Sequence, residues 1–370
     1  MTSFINTYSY LLFEYVRMSK TAGSRNDYVQ GGGGNTSIKF DKRLMAIKAS
    51  GFRLDQITQD HAYAVLDYAE LSNFYLRTDR ATLDDAEAAG SACAKATIQK
   101  IDGLPQLRPS VEAGFHSILD TFVLHTHPVY ANLAACSVEG AAIAADVLAD
   151  LSESHAFVPY INPGAELTFI IGQAREATKE KTGRTPAILF MQNHGLIITG
   201  KDADTCLALN DEVNRRIAVA YGVCEADWPK VELSVGETDD LWVSATPWLA
   251  DKLLTTDWDL GFFTKQALYP DQLVFLSGQI GVHEQGSLAS ALASSVALPA
   301  KCTIFRETGE VYYACKRAEA QTIEETLCAI FFIIGTIEQA GLTLCTMDEA
   351  GKEFISGWES EKYRKNLGSR

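Results

Sequence analysis

The sequence predicts a layered α/β domain followed by a second, smaller α+β domain. Strand-like apolar runs alternate with helical segments as far as Val223. From Glu225 the texture changes, and WPKVELSVGETDDLWVSATPW is acidic, rich in turn formers and without a clear period. A chain of 370 residues also exceeds a typical single domain, so two domains are the default. The expected domains are residues 1–225 and 226–370.

The opening segment MTSFINTYSYLLFEYVRMSK reads as an amphipathic helix, with Glu14, Arg17 and Lys20 set among apolar residues. GSRNDYVQGGGGNTSIKF follows as a turn-rich stretch running into an alternating strand, and MAIKASG gives a second strand. Residues 84–100 have helical composition, with acids at the start and a base at the end, as the helix dipole prefers. Pro109 opens a helix over SVEAGFHSILD, and TFVLHTHP has the content of a short strand that stops at Pro128. Helices are expected over 141–151, 164–181 and 203–221, and a strand over 187–191. Beyond the join we expect a strand at LVFLSG, a helix over SLASALASSVA and a hairpin CTIFRETGEVYYAC that turns at Thr308, Gly309 and Glu310. A long apolar helix over 318–340 closes the series.

Composition narrows the function classes. Hydrophobic residues make up 47% and charged residues 21%, as in an ordinary globular protein. A formal charge of −15 repels nucleic acid and anionic membranes at long range, while a local basic pocket for a small anion stays compatible. The charges in the first helix argue against a signal peptide, and no segment reads as a membrane span. Eight cysteines without a CxxC pair point to reduced, mostly buried thiols and a cytoplasmic setting.

The chemistry gathers in short motifs. On a strand, His125 and His127 of LHTHP project from one face about 6.6–6.8 Å apart, near enough for both rings to reach one ion at roughly 2.0–2.1 Å, while Thr126 faces away. A lone HxH is most often a pair of buried histidines bonded to backbone carbonyls. His194 of QNHG, at a turn between two strands, changes that reading. Three imidazoles with an open fourth position make a catalytic site, because a structural zinc is normally closed by four protein ligands. Glu112 sits in the first turn of the helix leading to the histidine strand, where an acid is ordinary. Near a metal it would instead accept a proton from a carbon acidified by coordination of the neighbouring carbonyl. GGGGNTS has the backbone freedom to present N–H groups to an anion but fits neither the P-loop nor the dinucleotide pattern, and a flexible hairpin is the simpler alternative. Lys48, Ser50 and Gly51 of KASG add a cation, a hydroxyl and bare backbone, or simply an exposed lysine and a turn.

Together GNTS (34–37), KASG (48–51), RPSVE (108–112), HTHP (125–128) and NHGL (193–196) resemble, in order, the class II aldolase/adducin family of fuculose- and rhamnulose-phosphate aldolases. The wording is most similar to the aldolase half of bifunctional rhamnulose-phosphate aldolase/alcohol dehydrogenases, and WESEKYR resembles the tail of that portion. The resemblance implies a three-layer α/β/α domain binding zinc, or another divalent ion, through His125, His127 and His194, with Glu112 as the acid/base carboxylate. It implies a lyase that makes or breaks a C–C bond of a ketose, with a sugar phosphate as the first expectation, through a metal-stabilised enediolate. Pentulose-phosphate 4-epimerisation, keto-acid-phosphate decarboxylation and a noncatalytic adducin-like binding domain are the alternatives. Asn35, Ser50, Gly51 and Ser110 fall where the family holds phosphate. Val111 stands where a second serine can occur and Lys48 replaces a neutral residue, so a carboxylate or another anion is an alternative ligand. Tyr130 and Tyr160 are candidates for the family's proton-donating tyrosine. A homo-oligomer, such as the cyclic tetramers that recur in the family, is expected, and no nucleic acid or membrane partner.

Overall fold

The computed structural model describes residues 3–236, 241–294, 298 and 300–357, and WESEKYR lies outside them. Strands β1 (Asn35–Lys39), β2 (Leu44–Lys48), β3 (Tyr63–Asp67), β4 (Phe122–Thr126), β5 (His155–Val158), β6 (Ile188–Met191) and β7 (Gly195–Gly200) form one sheet, in the order β3-β2-β1-β4-β7-β6-β5. Neighbouring strands run antiparallel except β5 and β6.

Successive side chains of a strand point to opposite faces, and the sheet uses both. Phe122, Leu124, Phe190 and Ile198 pack in one apolar cluster with helices Ser9–Gly23 and Ala203–Ala220. Val123, Leu189 and Ile197 pack in another with Tyr68–Arg77, Ala113–Ile118 and Ala165–Thr182. The domain is therefore the expected three-layer α/β/α sandwich. The helix foreseen over 84–100 is shorter, Ala86–Ala96, with the Asp85 side chain capping it through the Ala88 N–H. Strands β3 and β5 and the helix Tyr68–Arg77 were not foreseen.

A second sheet is built from β8 (Leu233–Val235), β9 (Leu241–Ser244), β10 (Ile280–His283), β11 (Cys302–Phe305) and β12 (Glu310–Ala314), in the order β10-β11-β12-β9-β8. The expected hairpin is β11–β12, closed after the Phe305–Glu310 pair, with Gly309 at a φ of 68° that suits glycine. LVFLSG is not a strand: Pro270–Leu276 is a helix. Proline at the first helical position is pre-set for a helix start, and Leu273 and Val274 bury against Ala267, Met347 and Ile355. The helix over SLASALASSVA is Leu288–Ala293, and residues 295–297 are outside the description.

The helix Arg317–Gln339 is long and apolar enough to cross a membrane, which corrects the expectation that no segment meets that test. Its most apolar window is 83% buried inside the protein, against helices Val129–Ala135 and Pro270–Leu276 among others. Its buried apolar residues join the same cluster as Phe122, Leu124 and Phe190 of the first sheet. All eight cysteines are free, and Cys136, Cys206, Cys302, Cys315 and Cys328 are buried.

Candidate metal centre and active site

The middle of the first sheet assembles the site. His125 of β4 pairs across to Asn35 on one side and Ile197 on the other, so the GNTS motif and the strand that follows His194 both lie beside His125 by register alone. Val123 belongs to the layer of the helix Ala113–Ile118, and His125, two residues on, meets Phe115 of that helix edge-on at 5.8 Å. Thr126 faces the other layer, its hydroxyl bonding to the Asn210 side chain at 3.3 Å. His127 follows the strand end. His194 sits in the tight turn between β6 and β7, behind Asn193 at a φ of 50°.

The three rings converge. Their ligand atoms lie within 4.8 Å of one another, and all three residues are buried. His125 and His127 face each other at 3.1 Å between Nε2 atoms, and Glu112 Oε1 lies 3.6 Å from His125 Nε2 and 3.3 Å from His194 Nε2. Tetrahedral coordination with bonds of about 2.0–2.1 Å separates ligand atoms by roughly 3.3–3.4 Å. His125 Nδ1 meets the Leu196 carbonyl at 3.0 Å, and a carbonyl only accepts, so that nitrogen carries the proton. His127 Nδ1 meets the Asp271 carboxylate at 2.6 Å, with the same consequence. Both Nε2 atoms are then lone pairs pointed at each other, an arrangement that repels unless a cation lies between them. The donor set therefore fits a divalent metal.

Glu112 occupies the cap position of Ala113–Ile118, yet its side chain does not cap the helix. It accepts a hydrogen bond from the Asn35 amide, and its backbone N–H donates to Ser110 Oγ at 3.3 Å. Burial pushes the Glu112 carboxyl up, but His125, His194 and His127 outweigh it and hold the group well below the usual carboxylate range. At His125 burial prevails instead, pushing the ring well below its ordinary value against the pull of Glu112.

The remaining sequence candidates line the same small cavity as His127, His194 and Glu112: Asn35, Lys48, Ser50, Gly51 and Ser110. Its volume is about 40 Å³, room for an ion and a water or two. Several of these groups are engaged with the protein. Lys48 Nζ donates to the Gly32 and Phe52 carbonyls at 3.0 and 2.7 Å, and Ser50 Oγ donates to Pro109 O at 3.0 Å. The glycine loop is partly committed too, because the Gly31 N–H donates to Glu325 at 3.0 Å and that of Gly33 to Gln30 O at 3.0 Å. Val111 and Ser110 form a shared wall with a second cavity of about 930 Å³ that also meets Lys95, Gln106 and Arg108.

Tyr130 and Tyr160 do not line the small cavity; the Tyr130 ring packs on Phe332, and Tyr160 Oη bonds to Asn162 at 3.2 Å. Asp271, Pro270 and Pro163 do line it and were not foreseen. Asp271 lies two residues before LVFLSG, where a strand was expected, and stands instead in the first turn of the helix Pro270–Leu276.

A mixed sheet between helical layers, with histidines from a strand end and a turn facing a buried carboxylate, defines an α/β domain with a histidine cluster that could hold a metal ion. The model of the class II aldolase and adducin N-terminal domain matches residues 14–221, more than half of the chain, and the protein belongs to that family. No curated protein matches it. Among solved structures it is similar to the N-terminal class II aldolase domain of a conserved protein from Thermoplasma acidophilum, with 20% identity, a TM-score of 0.46, and 59% of this chain and 93% of that one covered. It is similar also to YgbL from Klebsiella pneumoniae (17% identity, TM-score 0.41, 58% and 90% covered). An L-fuculose 1-phosphate aldolase follows at 20% identity and a TM-score of 0.38, with 57% and 84% covered. At such values the likenesses say nothing of substrate.

Proposed function

We propose that the protein is a divalent-metal-dependent aldolase, with zinc as the ion, that cleaves or forms a carbon–carbon bond in a ketose, most simply a sugar phosphate. The observation that carries this is the convergence of His125, His127 and His194 on the buried carboxylate of Glu112. When bound, the ion would act as a Lewis acid on the substrate carbonyl and acidify the adjacent carbon. In condensation Glu112 takes the proton from that carbon, and in cleavage it returns the proton to the same carbon. Asn35 holds one carboxylate oxygen, leaving Oε1 turned toward the histidines. Burial of the four groups keeps water from competing for the proton.

Glu112→Gln tests the assignment. Retro-aldol turnover of a ketose phosphate panel, read as released aldehyde, is expected to fall about 10²–10⁴-fold with metal content retained. A variant that keeps wild-type turnover sinks the role given to Glu112. Products identified as a 4-epimer or as carbon dioxide would replace the reaction class while leaving the site in place.

A further inference from the structure

Asp271 lies outside the family segment at 14–221, yet its carboxylate touches a histidine of the site. We propose that Asp271 is a positioning residue of the metal centre, accepting the His127 Nδ1–H so that the Nε2 lone pair stays aimed where His125, His194 and Glu112 converge. The inference rests on the metal-site reading above.

The contact is short, 2.6 Å from Oδ2 to Nδ1, and Asp271 is 0% exposed. A buried carboxylate is costly without a donor, and His127 supplies one. The second domain fixes where the carboxylate stands. Pro270 begins its helix, and Gln272, also fully buried, accepts from the Leu268 N–H at 2.9 Å and donates to the Phe262 and Phe263 carbonyls at 3.2 Å each. The same region steadies the third histidine's turn, where Asn193 Nδ2 donates to the carbonyls of Leu268 at 2.9 Å and Cys345 at 2.8 Å. A carboxylate behind a metal-binding imidazole sets its tautomer and ring orientation and raises its basicity. His125 meets a backbone carbonyl in that place, whereas His127 meets a carboxylate.

The test uses the full chain. Asp271→Asn and Asp271→Ala are stripped of metal, checked for folding by thermal unfolding, and titrated with Zn²⁺ and Co²⁺ against a chelating indicator. Asp271→Ala is expected to raise Kd about 10–100-fold and to change the visible Co²⁺ spectrum. Asp271→Asn, whose amide oxygen still accepts, is expected to show a smaller rise in Kd, and it carries the test alone if the alanine variant does not fold. Folded variants with wild-type Kd and an unchanged Co²⁺ spectrum overturn the inference and leave the metal site standing. A wild-type chain that binds neither ion, or a His127→Ala variant that binds both normally, overturns the metal-site reading and the inference with it.

Discussion

Gly33→Ala puts the support of His127 under direct stress. A Cβ at this position would fall 2.3 Å from Asp271 Oδ2 and 3.0 Å from His127 Nδ1, where ordinary contact begins at 3.4 Å. If the carboxylate gives way it withdraws by about 1.1 Å, which stretches its 2.6 Å bond to roughly 3.7 Å and out of hydrogen-bonding range. Losing a hydrogen bond to a charged group costs about 1.5–3 kcal/mol. Urea unfolding should show that loss, and metal affinity should fall in parallel. Gly335→Ala is the matched control: nothing lies within 4 Å of its Cβ in the helix Arg317–Gln339, so it should stabilise by about 0.5–1 kcal/mol. A Gly33→Ala protein with wild-type unfolding midpoint and metal affinity would refute the reasoning.

Other outcomes follow from the same geometry. Burial pushes the His116 ring down from 6.5 to about 3, so the folded protein keeps it neutral while the unfolded chain takes up a proton below about pH 6.5. This contribution is present above the unfolded value and is lost as pH falls from 6.5 toward 3, by at most about 1.4 kcal/mol per pH unit; His116→Gln should flatten the urea-midpoint profile, and an unchanged profile would count against it. Phe190→Ala, at a fully buried position of the larger core, should lower stability by about 3–5 kcal/mol in denaturant titrations. Glu325→Ala leaves the Gly31 N–H without its carboxylate and should cost about 1–3 kcal/mol; a smaller loss would mean that the loop finds another acceptor. Saturating zinc at a hundred times Kd should stabilise by about 2.7 kcal/mol, read as a Tm rise that a chelator reverses.

What could be read in advance was local. The histidine strand and the turn at His194 follow from short-range pattern, because period-two alternation and a polar Gln-Asn pair act within a few residues. Glu112 was legible only through the family resemblance, since its neighbours His125 and His194 are distant in sequence and meet it through sheet register and helix placement. Asp271 was not legible. Four apolar residues in LVFL do not distinguish strand from helix, and nothing near position 271 announces that it will stand behind His127. The glycine run had a second meaning as well: Gly33 leaves room for Asp271, and Gly31, at a φ of 53°, gives its N–H to Glu325.

The ties among Asn193, Leu268 and Cys345, and between His127 and Asp271, also bear on biosynthesis. The ribosome releases all three histidines before it has made any of these later partners. A nascent chain can therefore complete its first sheet while the turn at Asn193 and the ring of His127 still lack their anchors. Ordering of the histidine pocket waits on residues 268–345, which are made well after the histidines themselves.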